Sequence, residues 1–409
     1  MLPAVSFEST ADIASWVTKA GLAGAAEPDL LLGVCERLAA TGFPICRALV
    51  VADTLHPVHE GRVFRWNRER PDEVEVREYG RTNRGGEAAE SWQRSPFFHM
   101  LQTGQSLMRR RIDPESAAEF PFFAELLEAR QTDYLALIDR FDAEATIGEM
   151  DCIYTSWTSD TREGFDQGHL DALRFLTPAL ALAIKSASLA RIAETLVETY
   201  LGRDAGRRVL NGHIERGVAD RIEAVLWFSD LRGYTEVSDT APPGDIIPLL
   251  NDYAEVVISS VHEAGGDVLK LIGDGTLAIF TSEDVGQTCC AALQAEGLMR
   301  SRLQALNVRR AAAGTPVTSA YLALNVGEVF YGNVGSKDRL DFTVVGPAVN
   351  ETSRIAAMCR SIERDVLFSA AFAEAARPED RARLVSVGRY ALRGVGRAQE
   401  LFTFDPEAC

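Results

Sequence analysis

The chain has 409 residues, with 42 basic and 59 acidic side chains and a formal charge of −17, which is enough length for two or three domains. That surplus of acid argues against a nucleic-acid polymer or an anionic membrane surface as main partner, since both would be repelled. A nucleotide stays open, because it needs only a local cationic site and bound cations. Seven cysteines (Cys35, Cys46, Cys152, Cys289, Cys290, Cys359 and Cys409) without C-x-x-C spacing read as free thiols of a reducing, cytoplasmic protein.

In chain order, the opening MLPAVSFESTADIASW lacks the basic segment and apolar core of a signal peptide. DLLLGVCERLAATG predicts a helix closed by Gly42. CRALVVADTLHP, GRVFRWN and DCIYTSWTS predict strands, and SPFFHMLQTG and FPFFAELLEAR predict helices between them. Phe97, Phe98, Phe122 and Phe123 fit either a plain core or the lining of a ligand pocket. His56 and His59, in HPVH, fit either a solvated loop or a metal. The most apolar run, FLTPALALAI, is about ten residues, short of a membrane span. From about Phe165 to Ile222 the pattern is helical. Leu182, Leu189 and Leu196 fall seven apart, with Ile192 placed on the same stripe, and that stripe suits a partner copy or the chain's own domain equally.

From about Glu223 the order changes to strand AVLWFSDL, helix DIIPLLNDYAEVVISSVHEAG, hairpin GDVLKLIGDGTLAIF, helix CCAALQAEGLMRSRLQALN, strands VTSAYLALNVGEVFYGNVG and DFTVVG, and helix PAVNETSRIAAMCRSI. This predicts an α+β domain whose helices cover one face of a mostly antiparallel sheet. Asp230 falls where the first strand gives way to helix, and the backbone N–H groups of Gly233, Tyr234 and Thr235 open that helix as an anion site. Asp274 falls at the hairpin tip. Two carboxylates from neighbouring strands suit a pair of divalent cations that also clamp phosphate oxygens. Each aspartate alone is an ordinary cap or turn residue.

FSDLRGYT, LLNDYAEVV, GGDVLKLIGDGTLAIF, NVGEVFYGNVGSKDRLDFTVVGPAVNETSRI and LRGVG, in this order between about Ala224 and Phe404, resemble the catalytic domain of the class III adenylate and guanylate cyclases. The resemblance implies a ferredoxin-like catalytic domain at about 223–409. Asp230, Asp274 and the carbonyl of Leu231 would hold two Mg²⁺ or Mn²⁺ ions per active site. Lys270 and Thr343 would read an adenine ring, Asn350 would orient the ribose, Arg354 would stabilise the transition state and Arg393 would contact the terminal phosphates. It also implies a homodimer with ATP as substrate and active sites at the interface. Glu328 departs from the family pattern, in which some members carry an arginine there.

CIYTSWTSDTREGFDQGHLDALRFLTPALALAI looks like the close of a GAF-type sensory domain. That divides the chain into a mixed α/β GAF-like domain at 1–185 with a possible small-molecule ligand, a helical linker at 186–222 and the cyclase domain. The competing functions are a guanylate cyclase and a catalytically weak nucleotide-binding regulator. Val268 and Leu269 follow GGD where a diguanylate cyclase would need a Glu-Phe pair, and no P-loop is present.

Overall fold

The computed structural model describes residues 7–406 apart from 84, 143 and 145, and falls into two units, Met1–Leu196 and Val197–Cys409. Cys409 and the first six residues of the opening stretch lie outside the described residues; the other six cysteines are free thiols.

In the first unit, β1 (Arg47–Asp53), β2 (Gly61–Asn67), β3 (Arg70–Tyr79), β4 (Leu107–Arg111), β5 (Asp133–Arg140) and β6 (Cys152–Ser159) form one sheet in the order β3-β2-β1-β6-β5-β4. Every pairing is antiparallel. The run LVVA in β1 is apolar without alternation because the strand is buried on both faces. Ala48, Val50 and Ala52 join one core, and Leu49 and Val51 the other. The first core is closed by α1 (Phe7–Leu22), α2 (Glu27–Ala40) and the apolar stripe of a long helix that ends this unit. Over the opposite face lie α3 (Glu87–Gln93), α4 (Pro96–Gln102) and α5 (Pro121–Glu128), with Phe97, Met100, Phe123 and Leu126 buried beneath them. Each such side chain, fully buried, contributes about 1.5–3 kcal/mol.

That long helix, α6 (Gln167–Leu201), extends the apolar decapeptide of the sequence to 35 residues, with Pro178 inside it. By length and composition it could cross a membrane. Leu170, Leu173, Leu176, Leu180 and Ile184 instead recur at three- and four-residue intervals into the first core. The predicted stripe divides: Ile192 is buried, whereas Leu182 is 68% exposed. Ten residues of helix rotate the two side chains about 80° apart, so they do not share a face. Glu27, at the start of α2, is almost fully buried and bonded to Arg191 of α6, with Arg62 of β2 3.7 Å away. Burial pushes its pKa up, but Arg191 and Arg62 outweigh that and hold it below the usual value. His56 Nδ1 accepts from the Val58 and His59 amides, and His59 pairs with Glu78 at 3.0 Å. Among the described residues no group of three or more His, Cys, Asp or Glu could hold a metal.

The second unit opens with α7 (Arg203–Leu210), followed by the 13-residue β7 (Ala219–Leu231), α8 (Tyr234–Thr240), α9 (Pro243–Glu263), β8 (Asp267–Ile272), β9 (Gly275–Phe280), α10 (Val285–Ala312), β10 (Ala320–Gly335), β11 (Leu340–Val345) and α11 (Pro347–Ser361). It closes with β12 (Val366–Ser369), α12 (Ala370–Ala375), α13 (Pro378–Arg381), β13 (Leu384–Tyr390) and β14 (Gln399–Phe404). The sheet runs β13-β14-β12-β10-β7-β9-β8, with β11 pairing β10. Within it, β10-β7-β9-β8 is antiparallel throughout, and β7-α9-β8-β9-α10-β10 gives the 4-1-3-2 arrangement of a ferredoxin-like core. Among the described residues, only β10 and β12 pair in parallel.

The helices do not all cover one face, which corrects the sequence expectation. Val225 and Trp227 of β7 face a core shared with α9 and α10. Ala224 and Leu226 face the other way and pack with Ala205 of α7 and Ala348 of α11. A central strand with both faces apolar needs cover on both sides. Gly327 of β10 makes the second cover possible, since a Cβ there would lie 2.6 Å from Ala348 Cβ.

Candidate active site

β9 pairs with β7 in a register that places Thr276 opposite Ser229, so the β8–β9 turn lies beside the end of β7. Gly273 in that turn has φ 63°, a left-handed conformation that costs glycine little and other residues about 1–2 kcal/mol. The turn sets the Asp274 carboxyl against that of Asp230. Burial first, then the hydrogen bond and negative charge of Asp274, push the Asp230 carboxyl up to about 6, against a smaller opposing effect of the Leu231 amide donating to it. Two half-buried carboxylates in this position repel each other, and a proton or a cation between them relieves the repulsion. The donors are hard oxygens and too few to fill a coordination sphere alone, which suits a cation that keeps water and phosphate oxygens. The residues therefore fit Mg²⁺ or Mn²⁺.

Behind the pair sits a buried polar layer that carried no sequence signal. Trp227 Nε1 donates to Ser229 Oγ at 3.0 Å. Thr276 Oγ1, also buried, makes no hydrogen bond, and the buried Tyr253 hydroxyl has only Ser229 within reach, in poor geometry. Next along the chain Gly233, at φ 74°, precedes α8 with no side-chain cap. The first amides of a helix lack intrahelical partners, so Tyr234 and Thr235 keep free donors here, on a helix of only seven residues.

Lys270, on β8, makes an ion pair with Asp341 of β11, a residue that sequence reasoning passed over. β11 folds back along β10, with Thr343 opposite Gly332 and Asp341 opposite Val334. Phe342 and Val344 face the core, so Asp341 and Thr343 share the other face of the strand. Period-2 reading from Thr343 would have flagged Asp341; its pairing with Lys270, 71 positions away, is set by topology alone.

Asn350 and Arg354 lie four apart on α11 and therefore on one helix face. The Arg354 guanidinium nitrogens sit 3.2 and 3.4 Å from where a Cβ at Gly394 would be. The turn carrying exposed Arg393 is thus folded against the arginine of α11. Glu328 is engaged by Arg221 across the β7–β10 pairing. Three groups result: the carboxylates, the Lys270–Asp341–Thr343 cluster, and Arg354 with the 393–394 turn. Among the described residues no hydrogen bond or ion pair joins one group to another.

The antiparallel ferredoxin-like sheet thus brings together two aspartates, Asp230 near the end of β7 and Asp274 in the β8–β9 turn. Residues 219–404 match the sequence profile of the adenylate and guanylate cyclase catalytic domain, and this part of the chain is a class III cyclase catalytic domain. The chain is 37% identical over 161 residues to an adenylate cyclase of Anabaena cylindrica, covering 38% of this chain and 31% of that one. It is 26% identical over 209 residues to adenylate cyclase 1 of Rhizobium meliloti, covering 50% and 30%. It thus spans about a third of the length of these curated relatives. Among solved structures, the adenylyl cyclase CyaB from P. aeruginosa aligns with a TM-score of 0.42 at 24% identity, over 46% of this chain and 96% of that one. The guanylyl cyclase Cya2 aligns with a TM-score of 0.40 at 26% identity, over 45% and 92%.

Proposed function

We propose that the protein is an adenylate cyclase, forming 3′,5′-cyclic AMP and pyrophosphate from ATP. The observation that carries this is the Asp230–Asp274 pair, held by two strands of a cyclase domain. Two Mg²⁺ or Mn²⁺ ions bound by Asp230, Asp274 and the Leu231 carbonyl would lower the pKa of the ribose 3′-hydroxyl and neutralise the triphosphate. The hydroxyl attacks the α-phosphorus in line and pyrophosphate leaves. Asn350 orients the ribose for that attack, and Arg354 is a fixed cation aimed at the charge that develops. Arg393 contacts the terminal phosphates, with the Gly233, Tyr234 and Thr235 amides beside them. The residues for metals and for base, ribose and transition state serve different sites, so the working unit is a homodimer with two sites at its interface. Phe175 and Leu182, seven apart on α6 and both exposed, support a helical contact between copies along α6. The expected helical linker at 186–222 is helical only to Leu210, and 219–222 belong to β7.

The first unit, a six-stranded antiparallel sheet covered on both faces, supports a GAF-like regulatory domain, and the whole protein acts in the cytoplasm. Purified full-length chain incubated with ATP or GTP and either cation, with products resolved by chromatography, should give cyclic AMP. No cyclisation would end the enzyme reading, and a preference for GTP would reassign the base.

Base choice rests on Lys270 and Thr343 hydrogen-bonding the adenine edge, since a guanine would leave their polar groups unpaired. The ion pair changes how this is tested, because Lys270→Glu alone sets a carboxylate against Asp341. The combination Lys270→Glu, Thr343→Cys and Asp341→Asn should lower ATP turnover at least about 100-fold and raise the GTP-to-ATP ratio. Unchanged ATP turnover would remove these residues from base reading.

A further inference from the structure

Between the sheet and α3–α5 of the first unit lies a cavity of about 770 Å³, lined by residues of β1–β3, β5, β6 and those helices. Its size falls within the range of small-molecule sites. Tyr79, Trp92, Phe97, Phe122 and Tyr134 contribute aromatic walls.

Its polar groups are not balanced. Arg47 enters the cavity from β1 with its guanidinium carbon 4.9 Å from the centre of the Phe122 ring, and among the described residues its side chain has no ion pair or hydrogen bond. Burial, and secondarily the charge of Arg65, lowers its pKa to about 10, against a smaller pull from Glu125. Arg65, by contrast, has Glu75 at 3.4 Å, and Arg77 bonds the same carboxylate at 2.6 Å. Tyr134 is fully buried at the cavity wall, and its hydroxyl has only Ser156 within reach, in poor hydrogen-bond geometry. A largely buried cation with no ion pair among the described residues and a buried hydroxyl poorly bonded each cost the fold free energy. Both face one aromatic-walled space.

We infer that this cavity binds a small aromatic carboxylate, its carboxyl on Arg47 and its ring between Phe122 and Trp92. A flat guanidinium fork backed by a ring matches the two oxygens of a carboxylate. Arg94, the other lining arginine without an ion pair among the described residues, is exposed at the surface rather than buried. With Glu87, Glu90 and Glu125 also on the lining, a monoanion is favoured over a dianionic phosphate ester. The hydroxyl of Tyr134 donates to the carboxyl or to a ring substituent. The inference gives a ligand class to the proposed regulatory domain, but it stands on the cavity alone.

The test is calorimetric titration of the full-length chain, with no nucleotide present, so its outcome is independent of whether the second unit cyclises ATP. Benzoate and indole-3-acetate are the probes, with benzamide and phenyl phosphate as controls. At least one carboxylate should bind in the micromolar to low-millimolar range, and both controls at least about tenfold more weakly. Arg47→Gln should weaken binding at least about tenfold and Tyr134→Phe severalfold. Without ligand, Arg47→Gln should melt about 2–4 °C higher, because the unpaired cation is gone. If Arg47→Gln does not fold, Arg47→Lys keeps the charge without the fork and should still lose binding severalfold. No binding of either acid at 10 mM (roughly the weak limit of specific recognition), or binding unchanged by the Arg47 substitution that folds, overturns the inference.

Discussion

Asp274→Asn should give a protein that melts higher than its parent and cyclises nothing. Asp230 carries a pKa of about 6, raised by burial and by Asp274, against a usual value near 4. Because the folded value is the higher one, the protonated carboxyl stabilises the fold. That contribution is full below about pH 4 and is lost as pH rises through about 6. At pH 7.5, above its raised value, the Asp230 carboxylate is ionised and meets the negative charge of Asp274. Removing one charge relieves the other. A shift of two units corresponds to at most about 3 kcal/mol, but burial, its largest cause, stays when Asp274 is replaced. Solvent screening of a half-exposed pair leaves about 1 kcal/mol or less for the charge removed. That is at most about 2–4 °C for a domain of this size. The gain should be present at pH 7.5 in chelator and should shrink at pH 5, where Asp230 is mostly protonated in the parent. Turnover should fall at least about 100-fold, because the cations lose a ligand. Melting curves at the two pH values, together with product chromatography, read both effects. More than a tenth of parental turnover would remove Asp274 from the metal site, and an unchanged melt would mean that the two carboxylates do not repel.

Mixing two inactive variants should restore activity. Asp274→Ala and Arg354→Ala each leave every site of a homodimer one part short, so each alone is dead. In a mixed dimer with interfacial sites, both lesions fall in one site and the other is whole. Equal random mixing makes about half the dimers mixed, each with one of two sites intact, so recovery should approach about a quarter of parental turnover. Subunit exchange is followed separately with differently tagged chains. Exchange without recovery would mean that each chain builds its own site.

The two units differ in what their sequences disclosed. In the second, chemistry leaves a linear trace: Asp230 and Asp274 lie in short glycine-flanked blocks whose order and spacing could be read directly. The residues that support them did not show. Ser229, Tyr253 and Thr276 look like any strand or helix positions, and Asp341 meets Lys270 only because β11 turns back along β10. In the first unit GRVFRWN, with its alternating pattern, coincides with β2. RPDEVEVREY, as charged as a surface helix, is an edge strand at β3, where exposed charge is tolerated and guards a sheet edge. DYLALIDR, buried on both faces as β5, has no alternation by which a strand could be told from a helix. Arg47 carried no signal, since an arginine at the start of a strand is ordinary until the fold shows that, among the described residues, no acid forms an ion pair with it.

The parallel pairing of β10 with β12 has a consequence for how the second unit comes apart. α11 belongs to the connection between those two strands, so both its ends lead into the sheet. It cannot detach as a frayed terminal segment can; opening it requires parting β12 from β10 as well. Asn350 and Arg354 therefore belong to one of the more tightly held cooperative units of the domain, whereas the seven-residue α8 and the 391–398 turn sit on connections that open locally at little cost. Under the proposed function, the residues assigned to the ribose and the developing charge lie on the helix tied into the sheet at both ends, and those assigned to the terminal phosphates on short connections. That reading then expects pyrophosphate to leave by local opening while α11 stays folded.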